Sequence, residues 1–457
     1  MLFVSVVLLL NGVLRGRARS GMLLIASYYF YASFDVRFLA VLLFLTGFNY
    51  LAGALAGRLE RPLVVVLCAV AGNLAVLLYF KYLGYFVTGV HQLLLQAGLD
   101  ISVEMLSTVL PAGLSFYTFQ SLSYVLDIYR GKIKPTTNVI DFALFVAFFP
   151  TVLSGPISRA SELLPQFQQP AYPRSADRDY GLLLVIRGLC KKIMFADVLA
   201  YSIVDPAFSH PQNYSSLTLL IALYAFSFQM YMDLSGYTDI ARGVARLLGF
   251  NIRENFNRPY LAGSVSEYWT RWHMSMSSFF RDYLYISLGG SKYGNVYLNL
   301  LLTFICIGLW HGIGWNFLLY GFLHGSVVAS ERFFRTRNSD RASESVARSA
   351  TLLRPFLTFQ FVAFTRILFK SSDVRHAGEY LKNLFGFSAG DGLLTGVGLV
   401  ALLISAIVVW APKRWFDNME QRVIRLTVVQ QACLLVVIFM LLCVLYNGAT
   451  GFIYYRF

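Results

Sequence analysis

Long apolar runs recur along almost the whole chain, broken only by short polar stretches, and that pattern constrains the fold more than any motif. Backbone amides in lipid must be satisfied within their own segment, so runs of this kind fold as helices. With 57% hydrophobic and 14% charged residues over 457 positions, the chain reads as an all-α polytopic membrane protein, a single integral membrane domain over 1–457. It shows no soluble module, internal repeat or low-complexity tract.

Taken in order, spans are expected at 2–14, 20–34 and 37–57, then a long apolar stretch from 62 to about 97 that breaks near Lys81. Pro111 opens the next helix. Phe149-Pro150 and Gly155-Pro156 cannot sit in a straight span and suit either a re-entrant segment or a loop. Residues 181–204 carry Arg187, Lys191 and Lys192 on one side, as an interfacial helix would. A span at 216–234 runs into Asp233 and Asp239, two acids that need partners, with Arg242 the nearest candidate. Later spans are expected near 297–313, 314–331, 355–369, 393–410 and 427–447. The alternation predicts about ten to twelve transmembrane helices with re-entrant and interfacial helices among them.

The net charge of +14 does not signal nucleic acid, because the basic residues sit in short loops with no soluble aromatic-rich module beside them. The positive-inside rule places the loops at 130–136, 332–354 and 411–426 in the cytoplasm, with Asp100–Glu104 and the C-terminus outside. Basic residues follow the first apolar run and do not precede it, which reads as an anchor with its N-terminus outside. The five cysteines are far apart without metal or redox spacing and read as free thiols.

One stretch, 264–325, concentrates the chemistry. Ser264 and Glu267 form a capping box, Gly289-Gly290 a stop, and the segment between them is expected to be one amphipathic helix. Tyr268, Trp269, Trp272, Met276, Phe279, Phe280 and Tyr283 share its apolar face; Ser266, Thr270, His273, Ser277 and Arg281 form a polar stripe. The following apolar run carries His311 between Trp310 and Gly312, and then His324. An ionisable group in such a run costs roughly 2.5–3.5 kcal/mol, so each is either functional or a structural histidine bonded to backbone or serine. No two histidines stand at metal-ligand spacing, and no Gly-rich phosphate loop occurs, so neither a metal site nor a nucleotide site is expected.

Several segments resemble the membrane-bound O-acyltransferase family, in particular its bacterial polysaccharide branch. They are LPAGLSFYTFQSLSYVLDIYRG at 110–131, FFPTVLSGPISR at 148–159, FQMYMDLSGYTDIARGVARLLGF at 228–250, RPYLAGSVSEYWTRWHMSMSSFFRDYLYISLGG at 258–290, GLWHG at 308–312 and the closing FIYYRF. The matching core covers about 75–330. Ser287 departs from the pattern, since relatives usually have proline there, and Lys292 stands without their denser basic cluster.

The resemblance implies helices around a central catalytic cavity in the bacterial cytoplasmic (inner) membrane. It implies transfer of an acyl group, most simply acetyl, from a cytoplasmic thioester such as acetyl-CoA to an exported or cell-envelope polysaccharide. No bound cofactor is implied. Membrane lipid, the polysaccharide acceptor and an extracytoplasmic acyltransferase protein are the implied partners. His311 and His273 align with the family's signature histidines, with His311 as general base and His273 as orienter or hydrogen-bond donor. Substrate contacts are expected from Trp310, Trp272, Ser277, Arg281, Asp282, Asp233 and Tyr237; His324 is expected to be structural. D-alanyl transfer to teichoic acid is the alternative within the family, and a proton-relaying transporter or flippase the alternative outside it.

Overall fold

The computed structural model describes residues 2–99, 109–169, 172–337, 350–387, 390, 392 and 395–446, and every regular element among them is a helix. Asp100–Glu104, residues 338–349 of the 332–354 loop and the closing FIYYRF, on which parts of the topology reading rest, lie outside the described residues. The packing divides into two compact units interleaved in sequence, residues 1–181 with 241–253 and residues 182–240 with 254–457.

The first unit contains α1 (Leu2–Val13), α2 (Gly16–Ala32), α3 (Val36–Ala56), α4 (Leu63–Gln96), α5 (Leu114–Tyr129), α6 (Val139–Ala147) and α7 (Ala160–Gln168). Polar residues inside its apolar helices pair with one another, because no water is available to satisfy them. Asn49 on α3 and Asn73 on α4 exchange amide hydrogen bonds at 3.0 and 2.8 Å, and Asn49 also donates to Ser121 on α5 at 3.2 Å. The break expected near Lys81 does not occur. Its 34 residues contain no proline, and one lysine is a good helix former, so α4 runs on unbroken.

The segment 148–159 is irregular, with turns over 149–154, and every residue in it is buried. Its backbone is satisfied by side chains: Phe149 N–H donates to Ser27 at 3.1 Å, and Ser158 N–H to Gln120 at 3.2 Å. Gly113 permits the approach, since a Cβ there would stand 2.3 Å from the Val152 carbonyl. Irregular backbone at membrane depth needs protein cover of this kind.

Two helices pass between the units, α8 (Ser175–Leu189) and, after the short α9 (Asp205–Ser209), the 32-residue α10 (Ser216–Leu247). Between α8 and α9 the chain winds into π-helical turns over Cys190–Asp197 and Ala200–Val204. The second unit adds α11 (Val265–Arg271), α12 (Met274–Phe280), α13 (Val296–His311), α14 (Trp315–Arg337), α15 (Ala350–Lys370), α16 (Val374–Phe385), α17 (Gly396–Trp410), α18 (Lys413–Ile424) and α19 (Val428–Leu445). α13 and α14 form a tight hairpin. A Cβ on Gly308 would lie 2.3 Å from the Phe317 carbonyl, and one on Gly321 would lie 2.4 Å from that of Phe304, so only glycine admits this spacing.

Three helices, α3, α4 and α10, are long and apolar enough to cross a bilayer, and α17 with α18 passes the same test as a pair bent by 102°. Among the described residues, length and composition thus mark three candidate spans, or four with the bent pair, fewer than the ten to twelve expected from the sequence. α1 and α13 are apolar but have only 12 and 16 residues, short of the roughly 20 that a straight span needs.

Candidate functional site

The amphipathic helix expected over 264–286 is broken. Ser264 caps α11 by accepting from Glu267 N–H at 3.1 Å, but Glu267 turns to Gly263 N–H at 2.7 Å, so the reciprocal half of the capping box is absent. α11 stops at Arg271, the chain turns through Trp272 and His273, and α12 begins at Met274. His273 takes φ +43°, in the left-handed region that a side chain adopts only at a cost of about 1–3 kcal/mol.

Asn255 holds this bend. Its carbonyl accepts from Met274 N–H at 2.9 Å and its side chain from Ser275 N–H at 3.0 Å, replacing the cap that His273 does not supply. Asn257 N–H adds a bond to the Arg271 carbonyl at 2.9 Å. Past α12 a π-helical turn over Arg281–Tyr285 leads to Gly289 and Gly290, both with positive φ, which end the segment where the sequence indicated.

The break divides the polar stripe but keeps the apolar face. Tyr268, Trp269, Trp272, Met276, Phe279 and Phe280 are all buried. Ser277 donates to the Trp272 carbonyl at 3.0 Å and so serves the bend. Arg281 is exposed and pairs with its neighbour Asp282 at 2.8 Å. Asp282 itself is half-buried.

His273 and His311 are both buried, at 2% and 3% exposure, and the Trp310 indole stands beside each. Ring centres are 6.1 Å apart for His273 and Trp310, and 4.7 Å apart for Trp310 and His311. His311 is the last residue of α13, where the hairpin opens through Gly312 and Gly314. Phe369 lies 5.0 Å and Tyr320 6.3 Å from its ring. The structure thus brings together three of the residues singled out in the sequence.

His324 is a structural histidine. Trp269 Nε1–H donates to its Nδ1 at 3.2 Å, which places the proton of the neutral ring on Nε2, 3.0 Å from Thr365 Oγ1. Thr365 passes its own proton to the Val362 carbonyl at 2.9 Å, so the chain of bonds is closed.

Trp272 belongs to an aromatic ladder with Tyr268 at 5.5 Å and Tyr260 at 6.1 Å, and Arg366 organises that ladder. Arg366 sits on α15 at 1% exposure. Its guanidinium donates to the Ser227 carbonyl at 2.8 Å, to Tyr268 Oη at 3.0 Å and to Tyr260 Oη, and lies 4.7 Å over the Trp272 ring. No carboxylate pairs with it among the described residues. Sequence reasoning missed both Arg366 and Asn255. For Arg366 the signal was present, an ionisable group inside an apolar helix, the criterion that singled out His311. For Asn255 no local pattern marks a loop residue whose partners lie across a bend.

Arg242 donates to the Ile252 carbonyl at 3.3 Å. Asp233 takes Lys192 at 2.9 Å, while Asp239 takes Arg187 at 2.8 Å and Lys191 at 2.7 Å. Arg187 also reaches Glu420 on α18 at 2.8 Å. The basic side of 181–204, expected to ride an interface, pairs through Arg187 on α8 and Lys191 and Lys192 in the π-helical turn with the acids of α10. Close approach at Gly188 and Gly236 makes this possible. Asp233 is therefore placed in an ion network; Tyr237, one turn along α10, is half-buried.

Two buried imidazoles, one in the α11–α12 turn and one at the end of α13, thus flank a single indole. Residues 131–369 match the profile of the membrane-bound O-acyltransferase family, and the chain belongs to that family. It is an O-acyltransferase and a membrane protein. A probable alginate O-acetylase of Pseudomonas syringae pv. tomato is 37% identical over 402 residues, 86% of this chain and 75% of that protein. The peptidoglycan O-acetyltransferase of Helicobacter pylori is 31% identical over 398 residues, 80% of this chain and 73% of its own. The teichoic acid D-alanyltransferase of Bacillus subtilis is 28% identical over 278 residues, 58% of this chain and 69% of its own.

Proposed function

We propose that this enzyme O-acetylates an exported or cell-envelope polysaccharide, using a cytoplasmic acyl thioester such as acetyl-CoA, from a multi-pass position in the bacterial inner membrane. The acceptor hydroxyl, or that of an extracytoplasmic partner protein which completes delivery, attacks the thioester carbonyl. His311 removes the hydroxyl proton as the C–O bond forms; the C–S bond then breaks, the thiolate leaves and takes that proton back from His311 as free thiol, and His273 orients the reacting groups across the Trp310 ring. The observation that carries this reading is the pair of buried histidines flanking one indole. O-acetylation is favoured over D-alanyl transfer because the similarity to O-acetylases extends over 80–86% of the chain, against 58% for the D-alanyltransferase.

The test is mass spectrometry of envelope polysaccharides from cells carrying the wild-type or His311→Ala protein at equal abundance. Loss of acetyl esters in the variant supports the reading. Loss of D-alanyl esters would transfer it to teichoic acid, and unchanged polysaccharides would overturn it.

A further inference from the structure

The first unit holds a cavity of about 420 Å³ that the acyl-transfer chemistry does not use. One wall is the amino end of α2, with Gly16, Arg17 and Ser20; another is the loop 135–138 with Asp141 on α6, and Phe167 and Gln168 of α7 complete the lining. Arg15 gives α2 no side-chain cap, so the first N–H groups of a 17-residue helix lack an intrahelical partner at this wall. Ser20 is about nine-tenths buried and lines the cavity, and its hydroxyl forms no hydrogen bond with any described residue. Arg17 likewise forms no ion pair or hydrogen bond among them.

Across the cavity, Asp141 is 4% exposed and accepts through one carboxylate oxygen from Asn138 Nδ2 at 2.7 Å. Burial pushes its carboxyl up from the ordinary value, opposed by the Asn138 bond and by the charge on Arg17. Arg17 and Asp141 thus feel each other without pairing. The cavity therefore presents a positive wall, made of a guanidinium and a helix amino end, and a negative wall made of one carboxylate. A simple anion would meet Asp141, and a simple cation would meet Arg17. A dipolar ligand satisfies both.

Beside the α6 wall, Val139 and Ile140 are 55% and 40% exposed, and Val13 ends α1 at 76%. Apolar side chains at the rim of a charged cavity suit a ligand with hydrocarbon below a polar head. The loops that form the walls adjoin the basic clusters 15–19 and 130–134, which the positive-inside rule assigns to the cytoplasmic face.

We propose that this cavity binds the headgroup of a zwitterionic phosphoethanolamine lipid of the inner leaflet. The phosphate lies against Arg17, Ser20 and the amino end of α2, and the ammonium lies against Asp141. This site does not depend on the acyl-transfer reading.

Native mass spectrometry of detergent-purified protein, equilibrated with phosphatidylethanolamine or phosphatidylglycerol, tests it directly. Wild type should retain phosphatidylethanolamine about tenfold more strongly than phosphatidylglycerol, the worth of a charge-assisted hydrogen bond. Soluble glycerophosphoethanolamine and inorganic phosphate should not displace it. Arg17→Gln, at an exposed position whose replacement leaves packing intact, should weaken retention about tenfold. Asp141→Asn should bring the two lipids to parity. Three results would each overturn the proposal: unchanged retention in Arg17→Gln, equal binding of both lipids by wild type, or displacement by the soluble headgroup, which would assign the cavity to a soluble phosphoester.

Discussion

His311 and His273 differ in backbone as well as in position, and the difference shapes what their substitution should do. His311 ends a regular helix, so His311→Ala leaves the fold intact and should lower acyl transfer by roughly 10²–10⁴-fold, as for loss of a general base. His311→Gln should be equally inactive. At His273 the left-handed backbone is the first constraint. Asparagine tolerates that region and a β-branched residue does not, so His273→Asn should retain more activity than His273→Val. Steady-state transfer assays on monodisperse protein check both, and a fully active His311→Gln would place the base elsewhere. Arg366 acts one layer further out, as a positioning residue for the Trp272–His273 bend through Tyr260, Tyr268 and the indole. Arg366→Lys keeps the charge but loses the fork, and should lower kcat by up to about 10²-fold with KM little changed. Tyr268→Phe should show a weaker form of the same split. A purely structural role would instead lower the melting temperature and leave kcat per folded molecule unchanged.

Among the elements, the α11–α12 bend and the α13–α14 hairpin each carry one of the histidines. Asn255 caps α12 from outside the helix, so Asn255→Ala should cost about 1 kcal/mol, the range of a lost N-cap. Activity should fall further than that stability loss explains, because the bend itself positions His273. The hairpin depends on volume. A side chain at Gly308 would meet the Phe317 carbonyl at 2.3 Å, one turn from His311. Gly308→Val should therefore destabilise the protein by about 1–3 kcal/mol, as overpacking does, and impair transfer as well. Thermal unfolding in detergent alongside the transfer assay checks both. A Gly308→Val protein with normal melting and normal turnover would show that the two helices can separate without consequence.

At the scale of the whole molecule, basic residues govern orientation. Lys132 in the α5–α6 loop and Lys413 at the start of α18 are exposed, and both belong to loops assigned to the cytoplasm. In a cysteine-free background, Lys132→Cys and Lys413→Cys should resist a membrane-impermeant thiol reagent in intact cells and react after permeabilisation. Labelling of either from outside would invert the topology. The bent pair α17 and α18 makes the second position informative, since the 102° turn takes a basic helix away from the axis of the apolar one before it.

Apolar periodicity and charge by themselves determined the helical class, the membrane setting and the buried face of 264–286, and they singled out His273, His311 and Trp310, which the fold buries side by side. Each of these depends on side-chain chemistry within a turn or two, which a linear reading can follow. Tertiary structure alone decided the break at His273, because the amphipathic pattern of 264–286 continues through it, and only Asn255 across the bend makes the left-handed turn tolerable. It also decided that Asp233 and Asp239 meet Lys192, Arg187 and Lys191, residues some forty to fifty positions away. A buried charge must be matched wherever the packed helices bring a partner, and proximity along the chain says little about where that is.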